Sequence, residues 1–331
     1  MFEKVKLDKI VSQDTKKDPR VYDWLQKDLG VSDYVIFGYP DDEGIKNNGG
    51  RLGASLAPDV IRKFFYKMRP SLFYNFKSPA LHDFGNLKMD TDLATRHKQA
   101  VIDLDGVLDQ GKTVISFGGG HDYGYVDGKS FLNFCAKKTF NPKPKKSKVI
   151  KADKKPLIIN FDAHFDVRNM DQGITSGTPF YRLLEEEVFE FIEIGIQEQC
   201  NTKAHYDYIK SKGGHVLFLN DLLTQGHFDF KKFTDFIISL NIKHTTCYLS
   251  VDIDAFSNAF APGCSQSFAT GLTPEPFFLM MNYFIENFDI RSLGIYEVSP
   301  TLDFDDITSK LAALIAYKFI NFKQNIKCNA N

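Results

Sequence analysis

Seven short apolar runs recur along the chain: YVIFGY (34–39), TVISFGG (113–119), PLIINFD (156–162), FIEIGI (191–196), HVLFLN (215–220), CYLSVDID (247–254) and RSLGIYEV (291–298). Most are hydrophobic on both parities, as strands covered on both faces should be. Helix-like patterns fall between them, such as 57–67, 91–109, 229–240 and 274–287. This alternation predicts an α/β fold with a parallel, doubly wound sheet. A last segment, DITSKLAALIAYKFINFK, carries an apolar stripe and opens on Asp306 as its expected cap. No internal repeat is present, and 331 residues allow one large α/β domain or two ordinary ones.

The charge balance narrows the partners. With 41 basic and 42 acidic residues the formal net charge is −1, so no global excess points to nucleic acid or to a membrane. The opening residues have no apolar core and do not read as a secretory signal, and no apolar run approaches the length of a bilayer span. Five cysteines, at 135, 200, 247, 264 and 328, form no CxxC pair. Such a set fits a reducing, cytoplasmic setting and argues against a disulfide framework or a thiolate zinc site. Residues 137–155 hold nine lysines, two prolines and one acid. They read as a solvated surface loop between a helix and the strand at 157, with a basic docking patch as the alternative.

Chemistry gathers at three strand ends. SFGGGHDYG (116–124) places three glycines before His121, letting the backbone turn tightly and approach a bound group. LIINFDAHFDVR (157–168) ends an oily run in Asp162, His164 and Asp166, and YLSVDIDAF (248–256) carries Asp252 and Asp254. Ligands of open parallel sheets collect beyond the carboxyl ends of strands, where all three clusters are expected to lie. Taken singly, a histidine is most often structural and a strand-end Asp is often a helix cap. Converging carboxylates, however, repel one another, raise their pKa values and cost stability unless cations sit among them. Four carboxylates and two imidazoles can hold two divalent ions about 3.5–4 Å apart, with some Asp bridging. The oxygen-rich, thiolate-free set favours Mn²⁺ or a similar ion over structural zinc. Two such ions would share a water, lower its pKa toward neutrality and make it a hydroxide nucleophile, which implies hydrolysis. A metallophosphoesterase also uses Asp-x-His, but its Gly-Asn-His segment follows that motif. Here the glycine-rich histidine comes first and the asparagine is absent.

GGGHD, DAHFD and SVDIDAF resemble the three metal-binding signatures of the ureohydrolases, the family of arginase, agmatinase and formimidoylglutamase. GIYEVSP (294–300) is similar to the family's late glutamate-bearing strand. LAPDVIR (56–62) resembles its early helix start, with Ala57 where Gly is usual, and HDFGN (82–86) resembles its Asp-x-Gly-Asp/Asn turn. The resemblance spans residues 34–323. It implies a single-domain, three-layer α/β/α fold with a central, mainly parallel sheet, preceded by an extension (1–33) and followed by a tail (324–331). It also implies that His121, Asp162, Asp166 and Asp252 hold one metal and Asp162, His164, Asp252 and Asp254 the other. Two Mn²⁺ per subunit and a homo-oligomer are the implied cofactor and assembly. Glu297 would pair with a substrate amidinium or guanidinium, a task that suits a carboxylate accepting two parallel N–H bonds. Asp166 would carry a proton to the leaving amine.

Within the family the chain leans one way. The His-Gly-x-Pro segment usual in arginases and agmatinases is replaced by ITSGTPFYRLL (174–184). SGTPF, DDEGIKNNGGRLGA (41–54) and the AFSNAFAPGCS that follows Asp254 all resemble formimidoylglutamase instead. The implied reaction takes N-formimidoyl-L-glutamate and water to glutamate and formamide, a step of histidine breakdown. A substrate with two carboxylates needs cations and N–H donors, for which Asn48, Arg51 and Arg168 are the candidates. Arg51 could equally be a surface residue in a glycine loop, and Arg168 a partner to a nearby Asp. A guanidino-cleaving ureohydrolase and a non-catalytic metal-binding homologue are the competing readings.

Overall fold

The computed structural model describes residues 1–6, 18–72, 78–140, 155–242 and 245–329. Most of the lysine-rich segment, residues 141–154, lies outside the described residues, so the expected loop there is not addressed. The strands are β1 (Phe2–Glu3), β2 (Tyr34–Gly38), β3 (Leu81–Leu87), β4 (Thr113–Phe117), β5 (Leu157–Phe161), β6 (Glu190–Ile196), β7 (His215–Phe218), β8 (Leu223–Thr224), β9 (His227–Phe228), β10 (Thr246–Asp252) and β11 (Asp289–Tyr296). The helices are α1 (Glu43–Asn47), α2 (Ala57–Phe65), α3 (Leu93–Leu108), α4 (Tyr123–Phe140), α5 (Pro179–Glu186), α6 (Lys203–Ser211), α7 (Phe230–Ser239), α8 (Pro274–Asn287) and α9 (Ile307–Asn329).

Nine strands form one sheet in the order β1-β3-β2-β4-β11-β10-β5-β6-β7, parallel throughout except for β1. Every residue of β2, β4 and β5 is buried. The reason is a helical layer on each side. Ile61 and Phe65 of α2, Phe233 of α7, Phe284 of α8 and Ile315 of α9 pack into the core of one face. Leu104 of α3, Val126 of α4, Phe180 of α5 and Ile209 of α6 pack on the other. Removing one such side chain from water contributes about 1.5–3 kcal/mol. This is the mainly parallel three-layer α/β/α arrangement that the both-parity hydrophobic runs predict.

The last two strands do not extend the sheet at its edge. β10 and β11 enter between β4 and β5, pairing with β5 and β4 respectively. Four strand ends that are distant in sequence therefore stand side by side in the order β4, β11, β10, β5.

Three local expectations are corrected. HDFGN is not a turn, because residues 82–86 run inside β3, with a register shift opposite Ile36 and Phe37. Gly85 takes φ +100°, and a Cβ there would lie 1.9 Å from the Glu3 carbonyl oxygen, so a side chain would push β1 off the edge. Asp306 does not cap α9 with its side chain. The Asp303 carboxylate accepts from Thr308 N and Ser309 N, at 3.0 Å each, while Asp306 pairs with Lys63 at 3.9 Å. Described parts of segments 1–33 and 324–331 also join the body of the fold. The first supplies β1 and the buried Val21 and Trp24, and the second begins inside α9.

The two early family-like motifs meet each other. Arg62 is fully buried and donates to both Asp83 oxygens, at 2.8 and 3.0 Å, and to Asn86 Oδ1 at 2.6 Å. The pair joins α2 to β3 and serves the fold, since a buried guanidinium needs this many acceptors to be tolerated.

Candidate metal centre

The carboxyl ends of β4, β11, β10 and β5 deliver the site. GGG follows β4, and Gly119 passes so close to the 39–41 loop that a Cβ on it would lie 1.7 Å from the Asp41 carbonyl oxygen. Bonds from Gly120 N to Asp41 O (2.9 Å) and from Glu297 N to Gly119 O (2.8 Å) hold this turn and aim His121 inward. His121 is fully buried, and its Nδ1 faces Asp166 Oδ2 at 2.9 Å, Asp252 Oδ2 at 3.1 Å and Asp162 Oδ2 at 3.2 Å. Among the described residues no hydrogen-bond partner reaches that nitrogen. A buried imidazole nitrogen without a bond, aimed at three carboxylate oxygens, suits a shared cation. Its Nε2 lies 2.9 Å from Ser250 Oγ, which fixes the ring and keeps Nδ1 as the available lone pair. Tyr296 stacks on the ring with centroids 4.9 Å apart.

Two groups can each hold an ion: His121, Asp162, Asp166 and Asp252, and beside them Asp162, His164 and Asp254. Asp162 belongs to both. Its Oδ2 faces His121, while its Oδ1 accepts from His164 N at 2.7 Å and lies 3.6 Å from His164 Nδ1. His164 Nδ1 meets Asp254 Oδ2 at 3.0 Å. Asp252 turns Oδ2 to the first group, and its Oδ1 accepts from Asp254 N at 2.8 Å. All six expected ligands thus converge, and the geometry places Asp252 with the first group. His164 and Asp166, with side chains 24% and 13% exposed, mark the open side of the cluster.

Electrostatics agrees with a cation site. On protein charges alone, burial and then Asp254 and Asp162 push Asp252 well above the carboxylate range. Burial and Asp162 raise Asp166 to about 6. Burial alone would lower both imidazoles, yet the surrounding carboxylates carry His121 and His164 well above their ordinary value. Asp162 is held below the usual range against its burial by the two histidines. Divalent charge would offset these strains.

Glu297 stands directly after β11, 6% exposed, with Oε1 accepting from His121 N at 2.9 Å. On protein charges alone burial raises its carboxyl to about 8, a shift that nearby divalent charge would offset and so favour the carboxylate. Glu297 and Asp166 both hold left-handed backbone, φ +63° and +49°, an uncommon conformation for residues other than glycine and one that concentrates at working sites.

The three stretches 41–54, 174–180 and 261–265 are tied together by hydrogen bonds. Ser176 N donates to Gly44 O at 2.9 Å, and Asn48 Nδ2 to Ser176 Oγ at 3.2 Å. Arg51 donates through Nε and Nη2 to the Ser265 carbonyl, at 3.0 and 2.9 Å, and through Nη2 to the Cys264 carbonyl at 3.0 Å. Arg51 is therefore not a free surface residue; it ties the 41–54 segment to the loop after Asp254. Arg168 lies along Gly177, exposed, and its guanidinium makes no ion pair among the described residues. The Asp partner considered for it is not made.

Residue-by-residue reading missed Ser250, Asn160 and Glu193, although a signal existed. Each is a polar residue inside a strand whose neighbours are all buried, and Ser250 and Asn160 precede Asp252 and Asp162 by two positions, on the same strand face.

The arginase family model matches residues 32–321. The chain is 32% identical over 287 residues to a formimidoylglutamase of Staphylococcus haemolyticus, covering 86% of this chain and 85% of that one. It is 31% identical over 299 residues to a formimidoylglutamase of Staphylococcus aureus, covering 89% and 88%. Among solved structures, Trypanosoma cruzi formiminoglutamase with Mn²⁺ superposes with a TM-score of 0.77 at 26% identity, covering 93% of this chain and 98% of that one. Bacillus subtilis formimidoylglutamase gives 0.78 at 25% identity, covering 95% and 94%.

Proposed function

The chain belongs to the arginase family, and from that premise we propose that it is a binuclear-metal hydrolase cleaving N-formimidoyl-L-glutamate to glutamate and formamide. One observation carries the reading: the histidine–aspartate cluster converges with Glu297 bonded to His121 N, in a fold where the 41–54, 174–180 and 261–265 stretches are tied to one another. The formimidoylglutamase name of the relatives and the Mn²⁺ in a solved neighbour support substrate class and metal.

Two Mn²⁺ per subunit would be held by His121, Asp162, Asp166 and Asp252, and by Asp162, His164 and Asp254, with Asp252 able to reach across. When bound, they would supply the positive charge that brings a water's pKa near neutrality and stabilises the negative charge of the oxygen that attacks the amidine carbon. The protein's own groups do the rest. Glu297 accepts N–H bonds from the amidinium and orients its carbon toward the cluster. Asp166, on the open side, passes a proton to the glutamate nitrogen as its bond to carbon breaks, so that an amine leaves. Arg168 meets a substrate carboxylate directly, while Arg51 and Asn48 hold the rim that encloses it. No helix among the described residues is long and apolar enough to cross a membrane. Among the described residues, cysteines 135, 200, 247 and 264 form no disulfide, and a cytoplasmic setting and a homo-oligomer are part of the proposal.

After Mn²⁺ loading, a panel of amidine and guanidine compounds with product identification is expected to give formamide and glutamate from formimidoylglutamate. Urea from arginine, agmatine or a guanidino acid would move the enzyme to another branch, and no turnover on any member would leave a non-catalytic homologue. Arg51→Ala removes the charge-assisted bonds to the 264 and 265 carbonyls, each worth about 1.5–3 kcal/mol, and by loosening that tie should raise KM about tenfold with a smaller fall in kcat. An unchanged KM would show that substrate binding does not depend on this tie.

A further inference from the structure

Asn160 and Glu193 sit behind the cluster, away from the rim. Both are fully buried, and they face each other across adjacent strands, because β5 and β6 pair in parallel with Asn160 opposite Glu193. Asn160 Nδ2 donates to Asp162 Oδ2 at 3.1 Å and to Glu193 Oε2 at 2.9 Å. An amide nitrogen has two hydrogens, so both are committed. The amide cannot flip, since its oxygen would then face two acceptors. Asn160 Oδ1 and Glu193 Oε1 have no hydrogen-bond partner among the described residues. Such a pair is costly in a sheet core, where an apolar pair would pack without penalty. Its one visible benefit is the bond to Asp162, the carboxylate that both candidate ion sites share.

We propose that Asn160, held in orientation by Glu193, is the positioning residue for Asp162, fixing how that carboxylate divides its oxygens between the two ions. The idea rests on the binuclear reading above. Asp162 Oδ1 is already oriented by the His164 N–H bond. Asn160 does the same for Oδ2, so the carboxylate is pinned at both ends before any ion arrives. Glu193 adds an acceptor for the second amide hydrogen, and burial together with the nearby Asp162 raises its carboxyl well above the ordinary range. Outer partners of this kind typically set metal affinity by about 10–100-fold.

The experiment titrates Mn²⁺ into metal-free wild type, Asn160→Ala, Asn160→Asp, Glu193→Ala and Glu193→Gln by calorimetry, with melting curves in chelator as the control for folding. Wild type binding two Mn²⁺ per chain establishes the premise; if it binds none, the binuclear reading itself fails. Asn160→Ala and Asn160→Asp should each weaken Mn²⁺ binding about 10–100-fold. Glu193→Gln keeps an acceptor oxygen for the amide and should stay within about threefold of wild type, while Glu193→Ala should fall toward Asn160→Ala. Should the Asn160 variants fail to fold, the two Glu193 variants decide alone. Wild-type Mn²⁺ affinity in Asn160→Ala, or equal losses in Glu193→Gln and Glu193→Ala, would overturn the proposal while leaving the binuclear reading intact.

Discussion

Asp252→Ala is expected to abolish activity and metal content together. Asp252 is 3% exposed, presents Oδ2 to the same point as His121, Asp162 and Asp166, and orients Asp254 through its other oxygen. The variant therefore removes one ligand and loosens a second. If an outer partner is worth about 10–100-fold in metal affinity, a direct ligand should cost more than about 100-fold. The chelated form should not lose stability in proportion. Burial and the neighbouring Asp254 and Asp162 strain this carboxylate, so its removal relieves repulsion in the metal-free protein. The prediction is thus a pair of readouts: metal analysis showing depleted Mn²⁺, and a melting temperature in chelator equal to or above that of wild type. Normal metal stoichiometry in the variant would refute the ligand assignment.

Glu297→Gln should separate chemistry from metal binding. The glutamine keeps the shape and an oxygen to accept from His121 N, so the turn after β4 should survive and the metal complement with it. It lacks the charge that draws a planar amidinium into two parallel bonds. Losing charged hydrogen bonds of about 1.5–3 kcal/mol, together with misplacement of the reacting carbon, predicts a fall in kcat/KM of about 100–1,000-fold. The left-handed backbone at Glu297 adds a reason to expect a working role, since strain there is retained only where the surroundings impose it. Rates like those of wild type would exclude Glu297 from the reaction.

Much of the core layout was legible because both-parity hydrophobic runs leave few alternatives to a covered parallel sheet. The edges were harder to read. β3 holds His82, Asp83 and Asn86 in a strand, a composition that reads as a turn until Arg62 is seen to supply its partners. Asp306 looked like a cap because it immediately precedes the apolar stripe, yet it is the more distant Asp303 whose carboxylate folds back onto the helix start. The six candidate ligands stood out as a set, because four carboxylates and two imidazoles gathered at neighbouring strand ends would repel one another without a cation, although each taken singly has ordinary structural uses. Arg51 was legible as a residue that matters but not in what it does, because its acceptors are backbone carbonyls at 264 and 265, which look the same in every sequence.

The sequence by itself determined the chemistry on offer: four aspartates, two histidines and a glutamate at strand ends, rich in oxygen and free of thiolate. Only the tertiary structure decided that they meet. Strands β10 and β11, encoded at 246–296, slide between β4 and β5, encoded at 113–161, and bring Asp252, Asp254 and Glu297 beside His121 and Asp162. Strand order depends on which buried faces pack best across the whole sheet, a global balance that no local run of residues encodes. The same pairing of β5 with β6 set Asn160 against Glu193, a contact between positions 33 apart that neither strand announces alone.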